Sequence, residues 1–359
     1  MRNKTRTGLV SVVIIVGIIA VSAASHVHHT AGEQHSAAAA PAGTATASSA
    51  VAATGVSGTE YTLVQEPAAG FHPIYDLLDQ AKHTIDMTMY ELADPTAVQH
   101  LVAAKHRGVT VRVLLDKDFS GGRVNATDFH SLQAAGIDVR WAPAGFIFHQ
   151  KTIAIDDTVA AVGTANLTAR YYASSRDAWV IDRNPAHVAA IEGTFAADLA
   201  SPSRPGTATQ APGLVWSPGA ETAFVNTINT AKTTVDFQSE ELKDHAVVTA
   251  LAQAAKRGVT CRILMTRNTA WYAAFRQVTS AGCTVHVFPN NANTVYIHEK
   301  TVVTDRTHVI IGSQNAGSYS LTRNRELSLN LTGPAAQTLI PSVDSVYATD
   351  FAAATTWTR

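Results

Sequence analysis

The sequence predicts an α/β protein assembled from two similar layered halves. Strand-like apolar runs alternate with helical patterns from about residue 60 to residue 350. The runs from Val111 to Leu115 and from Cys261 to Met265 are nearly continuous in apolar residues, as in strands buried on both faces. A polar set also occurs twice. His149, Lys151, Asp156, Gly163, Thr164, Asn166 and Asp177 are repeated as His298, Lys300, Asp305, Gly312, Ser313, Asn315 and Glu326, every member displaced by 149 residues. Two copies with one internal spacing mark a duplicated unit.

The remaining elements repeat with an offset drifting only between 146 and 151. Val64 to Pro67 matches Val215 to Pro218. Helical patterns follow at Ile74 to Ala81 and Phe224 to Ala231, then strands at Thr84 to Tyr90 and Thr233 to Phe237. Glu91-Leu92-x-Asp94 matches Glu241-Leu242-x-Asp244. The next helices end at Arg107-Gly108 and Arg257-Gly258, where glycine suits a left-handed C-terminal cap. Further helices close at Gly136 and Gly282, and a strand leads into each His-x-Lys, the first expected over Phe148 to Ile155. Asn184-Pro185 opens the last helix of the first half, and Pro341 serves the second. The expected organisation is a first half at 58–200, a linker at 201–213 and a second half at 214–359.

The N-terminal residues read as something other than this fold. Arg2, Lys4 and Arg6 precede an apolar run from Leu9 to about Ala24, with small residues at Val21-Ser22-Ala23. This is the pattern of a signal peptide over 1–24, giving a secreted protein. An uncleaved membrane tether is the alternative, although the run falls short of the roughly 20 apolar residues of a full span. Residues 25–57, rich in Ala, Ser and Thr, read as a disordered spacer. His26, His28, His29 and His35 fall there and are read as composition rather than as a metal site. Cleavage leaves 24 basic residues against 28 acidic ones, a net charge of about −4. Cys261 and Cys283 are compatible with a disulfide or with two buried thiols.

His149 and Lys151 lie two apart on an expected strand, so both point to one face, continued by Ile153 and Ile155. A histidine beside a lysine on an apolar strand is costly to bury without an anionic partner. A glycine turn followed by Asn166 or Asn315 directs amide donors toward the same place. Two lysines, two asparagines and the Thr164 and Ser313 hydroxyls together would cradle a phosphate. Two histidines then divide the labour, one attacking phosphorus and the other moving the leaving-group proton. Asp177 and Glu326 are suited to hold a histidine ring nitrogen, unless the adjacent Arg176 and Arg325 take them as salt-bridge partners. Asp156 and Asp305, at strand ends, are expected to support backbone or lysine. The histidines are far apart in sequence and each sits beside a cation, so neither a metal nor another cofactor is expected.

The two His-x-Lys-x4-Asp-x6-Gly-[Ser/Thr]-x-Asn motifs, with the flanking Tyr90-Glu91-Leu92 and Arg107 to Asp116 stretches, resemble the phospholipase D superfamily over nearly all of residues 60–350. The resemblance implies two similar α-β-α sandwich halves within one chain, a monomeric pseudo-dimer, with the active site at their interface. It implies a phosphohistidine intermediate without metal, and makes His149 the nucleophile and His298 the acid. Thr164 departs from the usual serine but keeps the hydroxyl, and Asp177 is shorter than Glu326, so the half-sites are unequal.

The motif does not separate lipid from nucleic acid as substrate. A mildly acidic protein without Lys/Arg clusters lacks the footprint of a nonspecific nuclease. Export places it near lipids, so a phospholipid at a membrane surface is the expected partner, acted on by hydrolysis or by transfer to an alcohol. A secreted endonuclease is the alternative, and a non-catalytic phosphate- or lipid-binding protein is less favoured because both motifs are complete. Phe146, Trp271 and Tyr272 are expected to form an aromatic lip for acyl chains, with Ile147, Phe148 and Ile297 in the core.

Overall fold

The computed structural model describes residues 60–118 and 122–358. The expected signal segment, the 25–57 spacer and its four histidines lie outside the described residues. No helix among the described residues is long and apolar enough to cross a membrane.

Each half is a mixed sheet with the same strand order. The first runs Tyr61–Glu66, Ser175–Asp182, Val159–Gly163, Lys151–Ile155, Thr84–Met89, Thr110–Leu115 and Asp138–Trp141. The second runs Leu214–Ser217, Glu326–Thr332, His308–Gly312, Thr301–Thr304, Thr234–Gln238, Thr260–Thr266 and Thr284–Phe288, with Thr355–Thr356 at its edge. Three strands of each sheet are parallel and joined through helices. The motif strands pair antiparallel, through a tight hairpin in each half.

Those hairpins explain the motif aspartates. Asp156 and Asp157, and likewise Asp305 and Arg306, have positive φ, and Thr158 and Thr307 close the turns onto Ile155 and Thr304. Asp tolerates this left-handed conformation better than most residues. The Asp156 carboxylate accepts from the backbone N–H groups of Lys82, His83 and Thr84 at 2.7–2.8 Å. Asp305 does the same for Lys232, Thr233 and Thr234. Both aspartates therefore pin the motif hairpin to the start of the neighbouring strand.

Burial on both faces accounts for the apolar strand runs. Ile153, Ile155, Ala161, Trp179 and Ile181 face an outer core under the first-half helices. Ala154, Ala160, Val162 and Val180 face a central core shared with Val303, Val309, Ile311, Leu327 and Leu329 of the second half. The segment 201–213 is not a loose tether. Gly206 N–H bonds Asp198, Thr209 accepts from the Trp216 indole, and Arg325 reaches both Asp198 and the Gly206 carbonyl. Cys261 and Cys283 form a disulfide with Cα atoms 4.6 Å apart.

Capping follows the repeat. Asp94 and Asp244 of the Glu-Leu-x-Asp motifs cap the helices Pro95–His106 and His245–Lys256. Arg107 and Arg257 each bond a carbonyl of the preceding helix, while Gly108 and Gly258 take the left-handed positions after the helix ends.

Two expectations about aromatic residues are corrected here. Trp271 is 5% exposed and belongs to the second-half core with Phe275 and Val278. Tyr272 packs against Phe275 and Trp357 at ring separations of 6.1 and 5.6 Å. The short turn Thr269–Trp271 feeds the helix Tyr272–Ala281, whose inward face carries Ala274, Phe275 and Val278; it draws the Trp271 ring inward and leaves Tyr272 half-buried against the edge of that core. Neither forms a lip. Phe146 remains exposed, as does Tyr319, while Phe148 and Ile297 are buried.

Candidate active site

The two motifs meet through an exchange of backbone segments. Tyr296–Ile297, which precedes His298, pairs in parallel with Ser175–Arg176 of the first half. Reciprocally, Phe148 bridges to Arg325, and Gln150 N–H donates to the Arg325 carbonyl. Phe148 N–H is anchored on the Asp116 carboxylate and Ile297 N–H on the Thr266 hydroxyl. Each histidine is thereby delivered beside the carboxylate of the opposite half. The strand expected over Phe148 to Ile155 begins only at Lys151, because 148–150 is committed to this crossing.

His149 Nδ1 lies 2.7 Å from Glu326 Oε2, and His298 Nδ1 lies 2.8 Å from Asp177 Oδ1. The preceding arginines turn away: Arg176 pairs with Asp350 and Arg325 with Asp198. The carboxylates have their own supports. Thr164 Oγ1 donates to Asp177 at 2.6 Å and accepts from Ala178 N–H. Ser320 and Asn324 donate to Glu326 Oε1 at 2.6 and 3.0 Å, and Ser313 Oγ accepts from Leu327 N–H. The hydroxyls of Thr164 and Ser313 were expected in a phosphate cradle. They are fully buried behind the carboxylates instead, fixing the groups that fix the histidines.

The motif glycines are not at turns of special backbone angle; they end strands. A Cβ on Gly163 would meet the Trp179 ring at 2.6 Å, and one on Gly312 would meet Leu327 O and Ser328 at 2.4 Å. Glycine is required there for close strand approach.

Lys151 and Lys300 each donate to the carbonyl of the histidine two residues earlier, at 2.6 Å for Lys151. Burial, with Lys300 nearby, pulls Lys151 down to about 7. Burial, with Lys151 and Lys300, also holds His149 well below the usual histidine range. Burial raises Glu326 to about 7, partly opposed by Lys151 and its hydroxyl and amide donors. His149 is therefore a neutral ring. Its Nδ1–H donated to Glu326 leaves the Nε2 lone pair available.

The sequence reading missed two residues that complete the site. Tyr90 lies edge-on to His149 at 4.5 Å, with Lys151 Nζ 4.8 Å from its ring centre. Its counterpart in the repeat is Glu240, one residue before the matched Glu-Leu pairs. Glu240 Oε2 lies 3.5 Å from His298 Nε2, 3.5 Å from Lys300 Nζ and 3.2 Å from Asn315 Nδ2, while Tyr296 OH donates to Oε1 at 3.0 Å. Burial acts to raise Glu240, but His298 and Lys300, with the Asn315 amide, outweigh it and hold the carboxyl far below its usual range. His298 thus has a carboxylate beside each ring nitrogen. Asn315 and Asn166 both keep a buried amide oxygen without a hydrogen-bond partner among the described residues. The only sequence signal for Tyr90 and Glu240 was their position beside a repeated motif, and the two residue types do not match.

A family model described as "Cardiolipin synthase, PLD-like domain" matches residues 74–199 and again 224–345. Among curated proteins, a phospholipase D of Rickettsia conorii is 35% identical over 108 residues, 30% of this chain and 53% of that protein. A mitochondrial cardiolipin hydrolase of Xenopus tropicalis is 24% identical over 127 residues, 35% of this chain and 60% of that protein. The chain spans about half the length of the curated relatives it matches. The solved phosphatidylserine synthase of Haemophilus influenzae superposes with a TM-score of 0.66 at 13% identity, covering 83% of this chain and 87% of that one. A polyphosphate kinase of Porphyromonas gingivalis gives 0.60 at 16% identity, covering 80% and 50%. At these identities the structural likeness is one of fold.

Proposed function

Because the chain belongs to the phospholipase D superfamily, with PLD-like domains over most of its length, we propose that it is a phosphodiesterase hydrolase that cleaves phospholipid head groups. The observation that carries this reading is the crossed pair of histidine–carboxylate bonds, His149–Glu326 and His298–Asp177, around two buried lysines. In the proposed mechanism His149 Nε2 attacks phosphorus, forming a P–N bond as the P–O bond to the head group breaks. His298 gives its Nε2 proton to the departing oxygen. It then takes a proton from water, whose oxygen displaces His149 and releases phosphatidate. Lys151 and Lys300 would neutralise the non-bridging oxygens, and the Asn315 amide would donate to one of them.

Support for lipid over nucleic acid comes from the relatives named phospholipase D and cardiolipin hydrolase. Exposed Phe146 and Tyr319 add to it. They sit on adjoining segments, since the Phe148–Arg325 bridge joins the loop after Phe146 to the stretch after Tyr319. The reading includes export through the N-terminal apolar segment and a monomer working as an internal pseudo-dimer. Sequencing of the exported N-terminus and light scattering test these two points.

The central test incubates the protein in EDTA with phosphatidylcholine/phosphatidylglycerol vesicles and, separately, with single-stranded and duplex DNA. His298→Asn serves as control. Phosphatidate release that disappears in the variant is the expected result. DNA cleavage without lipid turnover would replace this reading with a nuclease of the same superfamily.

A further inference from the structure

We propose that Glu240 selects the alcohol that leaves or accepts the phosphatidyl group, favouring one that carries a hydroxyl or ammonium donor close to the reacting oxygen. This inference rests on the phospholipase reading. A site built to bind a phosphodiester anion contains a carboxylate within reach of its own phosphate-binding groups: Lys300, Asn315 and His298 all face Glu240 Oε2 at 3.2–3.5 Å. A monoanionic diester without a head-group donor meets that carboxylate unscreened.

The asymmetry of the two halves shows which end of the substrate is affected. At the matched position of the first half stands Tyr90, an aromatic wall beside His149 and Lys151. At this matched position the carboxylate belongs to the second half. His298 Nε2 is the atom that hands a proton to the leaving oxygen, so that oxygen departs within a few ångströms of Glu240. When a phosphoryl oxygen takes Lys300 and Asn315, Glu240 Oε2 loses those partners, while Tyr296 still holds Oε1. A hydroxyl or ammonium on the head group supplies the hydrogen that Oε2 then lacks, as a charge-assisted hydrogen bond. A head group without a donor leaves this half-buried charge short of a partner, which is the stronger part of the discrimination.

The test measures kcat/KM of the full-length protein for phosphatidate release from three esters of the same diacylglycerol. These are phosphatidylethanolamine, phosphatidylglycerol and phosphatidylmethanol, each diluted equally in neutral detergent micelles. The wild type is expected to prefer the two donor-bearing esters over the methyl ester by about tenfold or more. Glu240→Gln is expected to bring that ratio to within about twofold, with the absolute rates on all three esters read separately. A wild-type ratio near one overturns the proposal before any variant is made. So does a ratio that survives in Glu240→Gln, or an equal loss on all three esters, which would make Glu240 a structural member of the site. Wild-type protein that hydrolyses bis(p-nitrophenyl) phosphate but none of the lipids overturns the phospholipase reading and this inference with it. Lipid hydrolysis without head-group discrimination overturns this inference alone.

Discussion

His149 and Glu326 stand 177 positions apart in the chain and share a 2.7 Å hydrogen bond across the two halves. With the bond made at Nδ1, the Nε2 nitrogen is the one left for the attack proposed above. Glu326→Gln keeps the shape and the Ser320 contact but removes the charge that holds the ring. We expect kcat for phosphatidate release to fall by about 10–100-fold, with little change in KM. An unaltered kcat would mean that the ring is held by something else.

The two histidines should separate under a good leaving group. With p-nitrophenol departing, no acid is required for P–N bond formation, whereas hydrolysis of the intermediate still needs a base. His298→Asn is therefore expected to release a stoichiometric burst of p-nitrophenol from a phosphodiester and to retain phosphoryl on His149, detectable by intact-protein mass. His149→Asn should give neither burst nor adduct. A burst in the second variant and not in the first would exchange the roles.

Glu299 carries a pH dependence of stability that its counterpart Gln150 does not. Burial raises Glu299 to about 7, against the donation from Thr301 and the charge of Arg176. Between roughly pH 4.5 and 7 the folded state binds more protons than the unfolded chain, so this contribution to stability falls as pH rises through that window. Glu299→Gln should stabilise the protein above pH 7 by up to about 3 kcal/mol and change it little near pH 4.5. Denaturant midpoints measured at both pH values decide the point, and equal shifts at both would contradict the assignment.

Aromatic residues near the site divide into surface and core. Phe146→Ala and Tyr319→Ala are expected to reduce turnover on vesicles several-fold while sparing a soluble diester and leaving the melting temperature in place. Trp271→Ala should instead cost about 3–5 kcal/mol of stability. Thermal melts run beside the two assays separate these cases, and vesicle turnover unaffected by both surface variants would remove the lip.

The repeat made much of this legible, and its failures share a cause. Spacing alone identified His149, Lys151, Asp177 and their partners, and the Asp94 and Asp244 caps lay within matched motifs. Helix-joined strands and motif hairpins look alike in composition, because the central strands of both kinds are buried on both faces, so the antiparallel half of each sheet is not visible in the sequence. Trp271 was misplaced since an aromatic beside polar residues reads the same whether the following helix turns it inward or outward. Glu240 is not legible from the repeat because the repeat marks positions that match between the halves, and this one differs from Tyr90. The crossing of the carboxylates is a property of tertiary pairing between 175–176 and 296–297 that no local pattern encodes.

That crossing also binds the fates of the two halves. In an ordinary tandem duplication one copy can decay while the other continues to work. Here Asp177 bonds His298, and Glu326 bonds His149, so on the proposed mechanism damage to either copy would reach the histidine housed in its neighbour. Such an arrangement preserves the shared set by mutual dependence and leaves drift to the residues that stay within one half. Tyr90 and Glu240 occupy that unconstrained position, the place where a duplicated enzyme can acquire a front and a back.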